Sequence, residues 1–189
     1  MTDESAIYNT LDIKFRYLTK YNLDFDSRTV YLTGDITERS TQSAIKSITL
    51  LNQISEDRIC LVINSPGGVV DQAFALIDLI KTIPPYITGI GTGQVCSAAL
   101  GILAACDSRE ATKYCTFMHH AASYDSGYEK VDIHSSLLAY VKKRDVSFNK
   151  LLAENTNKSF AFWASHKHLD YYFDSQDALD MGLISQIVP

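Results

Sequence analysis

Residues 58–82 read RICLVINSPGGVVDQAFALIDLIKT, an apolar run, then Pro66-Gly67-Gly68, then an amphipathic stretch. This order restricts the fold more than any other feature of the chain. RICLVINS has the unbroken apolar character of a strand covered on both faces, which is the habit of parallel sheets. After Val69, the side chains Val70, Ala73, Phe74, Ile77 and Ile80 recur at spacings of three and four and form one helical face, with Asp71 and Asp78 off it. The pattern repeats on either side. TVYLTGDI (Thr29–Ile36) is a β-rich run closed by a turn, followed by STQSAIKSITLLNQI, a helix with Ser40 as its N-cap. PPYITGIGTG supplies the next strand and SAALGILAAC the next helix. Strand and helix thus alternate three times in about 80 residues, the signature of βαβ units and an α/β fold on a parallel sheet. A last strand, YCTFMHH, precedes a long helical region from about Val131 to Glu154; two short helical stretches and GLISQIV close the chain.

A chain of 189 residues, 46% of them hydrophobic, is read as a single domain. Its longest apolar runs fall short of the ~18 residues that cross a bilayer, and MTDESAIYNT lacks the basic and apolar regions of a secretory leader. The expectation is a cytoplasmic protein with no membrane partner. The net charge of −5 disfavours nucleic acid as a partner, since phosphate binding needs clustered Lys and Arg. The one dense basic run, VKKRD (Val141–Asp145), reads as a solvated helix face. Cys60, Cys96, Cys106 and Cys115 show no CxxC spacing and read as reduced, buried thiols rather than zinc ligands or disulfides.

Three features could carry chemistry. Ser97 stands where a strand and a small-residue turn give way to a helix of Ala, Leu and Ile. A hydroxyl there caps the first turn, or acts as a nucleophile whose oxyanion is stabilised by the first-turn N–H groups and the helix dipole. Gly67 and Gly68 either turn the chain or, lacking Cβ atoms, bring their N–H groups close to a substrate carbonyl. Both turns fall at the carboxyl ends of parallel strands, where α/β proteins bind ligands. A serine nucleophile requires a base and an orienting acid. The histidines are His119, His120, His134, His166 and His168. His119 and His120 end a strand, so one points inward and the other outward. A metal site is not expected, because no further ligand has suitable spacing. For the acid, HLDYYFDSQDALDMG offers Asp170, Asp174, Asp177 and Asp180, the last three reading as a helix N-terminus and its exposed face.

INSPGG followed by GQVCSAA resembles the Clp peptidase proteolytic subunit family, as do FMHHAAS and DYYFDSQDALDMGLIS, in that order, from about Asp24 to Val188. The resemblance implies a crotonase-like ββα superhelix with a protruding helical handle, here about residues 121–154, and leaves residues 1–23 as a divergent N-terminal segment. It implies a serine endopeptidase with Ser97 as nucleophile, His120 as base and Asp170 as acid. The N–H groups of Gly68 and Ala98 would form the oxyanion hole, and no metal or other cofactor is required. It also implies polypeptide substrates, heptameric rings that can stack as a tetradecamer, and an AAA+ unfoldase as partner. The chain departs from the family pattern at Ala121-Ala122, where Gln-Pro is usual, at the TKYC segment, and before Asp24. The aromatics that line the family's docking pocket, two and four residues before Asn64, are replaced by Val62 and Cys60, so weak ATPase coupling is expected.

Related readings are a phage prohead-maturation protease, a silent scaffold ring, a crotonase-type acyl-CoA enzyme and a Ser-Lys peptidase. Within the ring, Leu137, Leu138, Tyr140, Val141 and Leu151 are expected to face the opposite ring.

Overall fold

The computed structural model describes residues 3–122, 131–166 and 169–189; His168, the His134 side chain and residues 123–130 of the expected handle lie outside the described residues. In chain order the elements are α1 (Asp3–Tyr21), β1 (Leu23–Asp24), β2 (Thr29–Thr33), α2 (Glu38–Ile54), β3 (Ile59–Ser65), α3 (Val70–Thr82), β4 (Ile87–Cys96), α4 (Ala98–Ala105), β5 (Ser108–Thr112), β6 (Thr116–His119), α5 (Val131–Glu154), α6 (Phe160–Ser165), β7 (Tyr171–Phe173), α7 (Ser175–Asp180) and β8 (Gln186–Val188).

The sheet is mixed and runs β1-β2-β3-β4-β5-β8, with β6 and β7 branching from β4. Strands β2, β3, β4, β5 and β8 pair in parallel, while β1 pairs antiparallel with β2. The alternating strands and helices of the central segment form the parallel core that their apolar runs require. Ala73, Leu76, Ile77 and Ile80 of α3 are buried, on the face set by their spacing. Every residue of α4 is buried, so this helix runs through the core rather than over it. Gly101 makes that possible: a Cβ there would lie 2.4 Å from the Phe148 ring of α5, so the glycine lets the two helices approach.

The branch at β4 positions the site. Its first half, Thr88–Gly91, pairs with β5, and its second half, Gln94–Cys96, pairs with β6. Between them the register with β3 shifts, from Ile63 opposite Gly91 to Ser65 opposite Val95, and Gly93 takes φ +61°. Extra residues in one strand bend it and increase its twist. The bend carries the end of β4 away from β5 and onto β6, so Ser97 N–H donates to Met118 O at 2.8 Å. Strand β6 also pairs antiparallel with β7, with Phe117 opposite Phe173.

Two local expectations need correction. Helix α2 is capped by Thr37, not Ser40. Thr37 is extended (φ −125°, ψ 169°) and its Oγ1 accepts from Ser40 N–H, while Ser40 Oγ accepts from Thr37 N–H at 2.9 Å. Ser40 stands three residues inside the box, in the place that Glu or Gln usually fills, which hid the box from the sequence. On α5, Leu151 packs against the protein's own core, and Leu137, Tyr140 and Val141 line a groove of the same protomer. Tyr140 remains 42% exposed. The basic run is also not wholly solvated: Lys142 and Lys143 are exposed, but Arg144 forms an ion pair with Asp71 at 2.7 Å.

Among the described residues, no helix is long and apolar enough to cross a membrane. The four cysteines are free thiols, Cys60 half-buried and the others buried.

Candidate active site

The turn between β4 and α4 is strained. Ser97 takes φ 53° and ψ −124°, a combination open mainly to glycine, at a cost of about 1–3 kcal/mol. It occupies the N-cap position of α4, yet its side chain accepts no capping bond. Its Oγ instead lies 2.7 Å from His120 Nε2. The hydroxyl is thus lifted out of the helix end and held toward an imidazole. A tight strand-to-helix turn presents a serine at the end of a parallel strand.

The turn between β3 and α3 packs directly against it. A Cβ on Gly67 would lie 2.7 Å from both Cys96 O and Ser97 Cβ, so only glycine allows the two turns to meet. Gly67 N–H donates to the buried Ser65 Oγ at 3.0 Å. Gly68 has φ +147° and lies against Ile36, where a Cβ would meet Ile36 O at 2.4 Å. The bridge between them uses Ile36 N–H to Gly67 O and Val69 N–H to Ile36 O. Gly68's own N–H takes no part in it. Ala98 is the first residue of α4, where a backbone N–H has no intrahelical partner. Two backbone donors therefore flank the Ser97 turn.

The two histidines at the end of β6 have different environments. His119 is fully buried; its Nε2 is 3.1 Å from Trp163 O and its ring lies parallel to Phe148 with centroids 6.1 Å apart. Burial holds its pKa below the ordinary imidazole value, so the ring is neutral, with Nε2–H donating to the carbonyl. Its Nδ1 is buried without a partner. His120 instead opens into the cleft with Ser97. Its Nδ1 is 3.8 Å from Asp170 Oδ1, an ion-pair separation longer than a hydrogen bond. Asp170 is more than half exposed at the start of β7. Asp174 caps α7 by accepting from Gln176 and Asp177 N–H, and Asp180 belongs to the same helix, so neither reaches the cleft.

Beside Ser97 and His120 lies a small, half-open slot walled by Val70, Ala98, Ala122 and Phe148, and completed by Arg144 and Asp145. It continues into a wide groove between α3 and α5 that includes Gly68. Cys96, next to Ser97, is buried, and burial raises its pKa, which keeps it a thiol and a poor substitute nucleophile. Among the described residues, no group of three His, Cys, Asp or Glu side chains is arranged to hold a metal ion. Sequence reasoning missed Ser65 and Arg144. Ser65 is carried by the same INSPGG string, but its bond to Gly67 N–H needs the turn geometry to be seen.

Comparison with known proteins gives a consistent result. Residues 14–189 match the family model described as Clp protease. The chain is 30% identical over 190 residues to the ATP-dependent Clp protease proteolytic subunit 3 of Rhizobium etli, covering 100% of this chain and 97% of that one. It is 27% identical over 165 residues to proteolytic subunit 2 of Pseudomonas aeruginosa, covering 85% of this chain and 81% of the other. Among solved structures, a point mutant of ClpP1 from Listeria monocytogenes superposes with a TM-score of 0.78 at 28% identity, covering 87% of this chain and 92% of that one.

Proposed function

This chain belongs to the Clp protease family, and from that premise we propose that it is a serine endopeptidase working through Ser97, His120 and Asp170. His120 Nε2 takes the Ser97 proton as Oγ attacks a peptide carbonyl, and the new oxyanion is held by the N–H groups of Gly68 and Ala98. The C–N bond breaks as His120 returns the proton to the leaving amine. Water, activated by the same imidazole, then releases the acyl group and restores the serine. Asp170 orients the ring with its Nδ1–H outward and stabilises the imidazolium. Its 3.8 Å separation in the free site leaves a short approach to be completed when substrate is bound.

The observation that carries the reading is the 2.7 Å contact between Ser97 Oγ and His120 Nε2, made by a serine in a strained turn that caps nothing. The fold agrees with it, since both turns end parallel strands on one side of the sheet.

Polypeptides are the substrates, and the chain assembles as a homo-oligomeric ring of the family type. An unfoldase could feed such a ring, but Cys60 and Val62 offer only small side chains on the half-exposed face of β3. Peptides are therefore cleaved without ATP, and coupling to a standard Clp ATPase is weak. The test is to incubate a disordered polypeptide with the wild type and with Asp170→Asn and to sequence the new N-termini. The wild type should generate fragments, and Asp170→Asn should slow them by about 10⁴-fold through the wrong imidazole tautomer. No fragments from the wild type would overturn the proposal.

A further inference from the structure

We infer that Arg144 determines which side chain the enzyme accepts on the acyl side of the scissile bond, and that it selects small ones. The inference rests on the proposed peptidase reading and deepens it. A carbonyl placed between Ser97 Oγ and the Gly68 and Ala98 N–H groups puts its own residue's side chain against the slot walled by Val70, Ala98, Ala122 and Phe148. That slot holds about 20 Å³, room for roughly one water molecule. The adjoining groove, with Ile36, Val69, Leu137 and Val141 among its walls, holds about 550 Å³ by the same measure. Arg144 lines both spaces and is the largest side chain they share.

The guanidinium is fixed. Its Nε–H donates to the Tyr140 hydroxyl at 2.9 Å, Nε lies 2.7 Å from Asp71 Oδ1 in an ion pair, and that hydroxyl donates to Asp71 at 2.6 Å. The same group lies over the Phe74 ring at 5.0 Å and the Tyr140 ring at 5.1 Å. Contacts from α3 and from α5 itself thus hold a bulky cation at the passage between slot and groove. A methyl-sized side chain fits the slot; a leucyl or phenylalanyl side chain does not, and Arg144 bars its way into the groove. The ion pair is partly exposed, so its effect on stability is small. Its effect on selectivity is steric, and the two can be measured apart.

The test uses two fluorogenic peptides that differ only in having Ala or Leu before the scissile bond, with the wild type, Arg144→Ala, Asp71→Asn and the exposed control Lys142→Ala. The wild type should favour Ala by about tenfold or more in kcat/KM, the scale on which a tight pocket rejects extra methylenes. Arg144→Ala should erase or invert that ratio with little change in melting temperature. Asp71→Asn, which frees the guanidinium without shrinking it, should move the ratio part of the way, and Lys142→Ala should leave it unchanged. Equal wild-type rates on the two peptides, or an unchanged ratio in Arg144→Ala, would overturn the inference. If no peptide is cleaved, the peptidase reading itself has failed. Selectivity is then read from the affinity of the two product peptides for Ser97→Ala protein with and without Arg144→Ala, and the same ratios decide.

Discussion

The β3–α3 turn and the β4–α4 turn solve one geometric problem with opposite chemistry. Each ends a parallel strand, each opens a helix, and they pack against one another through Gly67. At the first, residues with φ of +100° and +147° are both glycine, and Gly68, which lines the groove, has only backbone to offer it. At the second, a serine takes φ 53° and what faces the cleft is a hydroxyl. On the proposed reading, strain is accepted at Ser97 because its hydroxyl is the nucleophile. At Gly67 and Gly68 a side chain would collide with Ser97 or Ile36. The two turns meet because one has lost its side chains and the other keeps one despite its backbone.

The most severe way to break this comparison is to remove the hydroxyl. Ser97→Ala keeps the turn but deletes the proposed nucleophile, and kcat should fall on the order of 10⁶-fold, with assembly by native mass unchanged. Full activity in this variant would remove the basis of the account.

The two histidines sharpen it next. His120→Ala should lose several orders of magnitude in kcat, whereas His119→Phe should keep most of it. His119 acts on stability instead, because its Nε2–H bond to Trp163 O would be lost, at a cost of about 1–3 kcal/mol. Its folded pKa lies below the unfolded value of about 6.5, so the unfolded chain binds the proton first as pH falls. The stability from a neutral His119 is therefore complete above that value and is lost progressively below it. Urea melts at pH 7.5 and 5.5 should show this loss in the wild type and a smaller one in His119→Phe.

The glycine turn is tested by Gly68→Ala. Alanine keeps the N–H, but at φ +147° its Cβ would meet Ile36 O at 2.4 Å, so the donor must shift. Misplacing an oxyanion donor should cost up to about 10²–10³ in kcat, and the collision should lower the melting temperature as well. Unchanged kcat with a lowered melting temperature would assign Gly68 to folding alone. The smallest effect is expected at the cap of α2, beside the groove. Thr37→Ala should cost about 1 kcal/mol in urea melts and leave kcat untouched, whereas Ser40→Ala should cost less, because Ser40 is the inner partner of the box.

The legibility of the molecule follows the same physical lines. Strand β3, helix α3 and helix α4 could be read because apolar periodicity is a long-range signal carried by many residues. Strand β5, SREAT, could not: its polar residues carry no such signal, and its pairing with β4 and β8 makes it a strand. The short β7 escaped for a similar reason, since three residues paired to β6 have no period of their own. Helix α1 could have been read, since Ile7, Leu11, Phe15 and Leu18 recur at spacings of three and four. At the site, the Ser97 turn, the glycine pair and the histidine pair could be located from strand ends and turn residues. The divided roles of His119 and His120 could not be settled by alternation, which says that the two differ but not which faces Ser97. The clamp of Asp71 and Tyr140 on Arg144 was also invisible, because Asp71 and Tyr140 lie 69 positions apart and neither carries a local signal of the contact.

The central claim, that Ser97 is a nucleophile activated by His120, is tested most directly by covalent labelling. The wild type and His120→Ala should each be treated with a fluorophosphonate probe, digested, and the modified residue mapped by mass spectrometry. The account predicts one adduct, on Ser97, forming quickly in the wild type and far more slowly without His120. An unmodified Ser97, an adduct on another residue, or equal rates in the two proteins would contradict it.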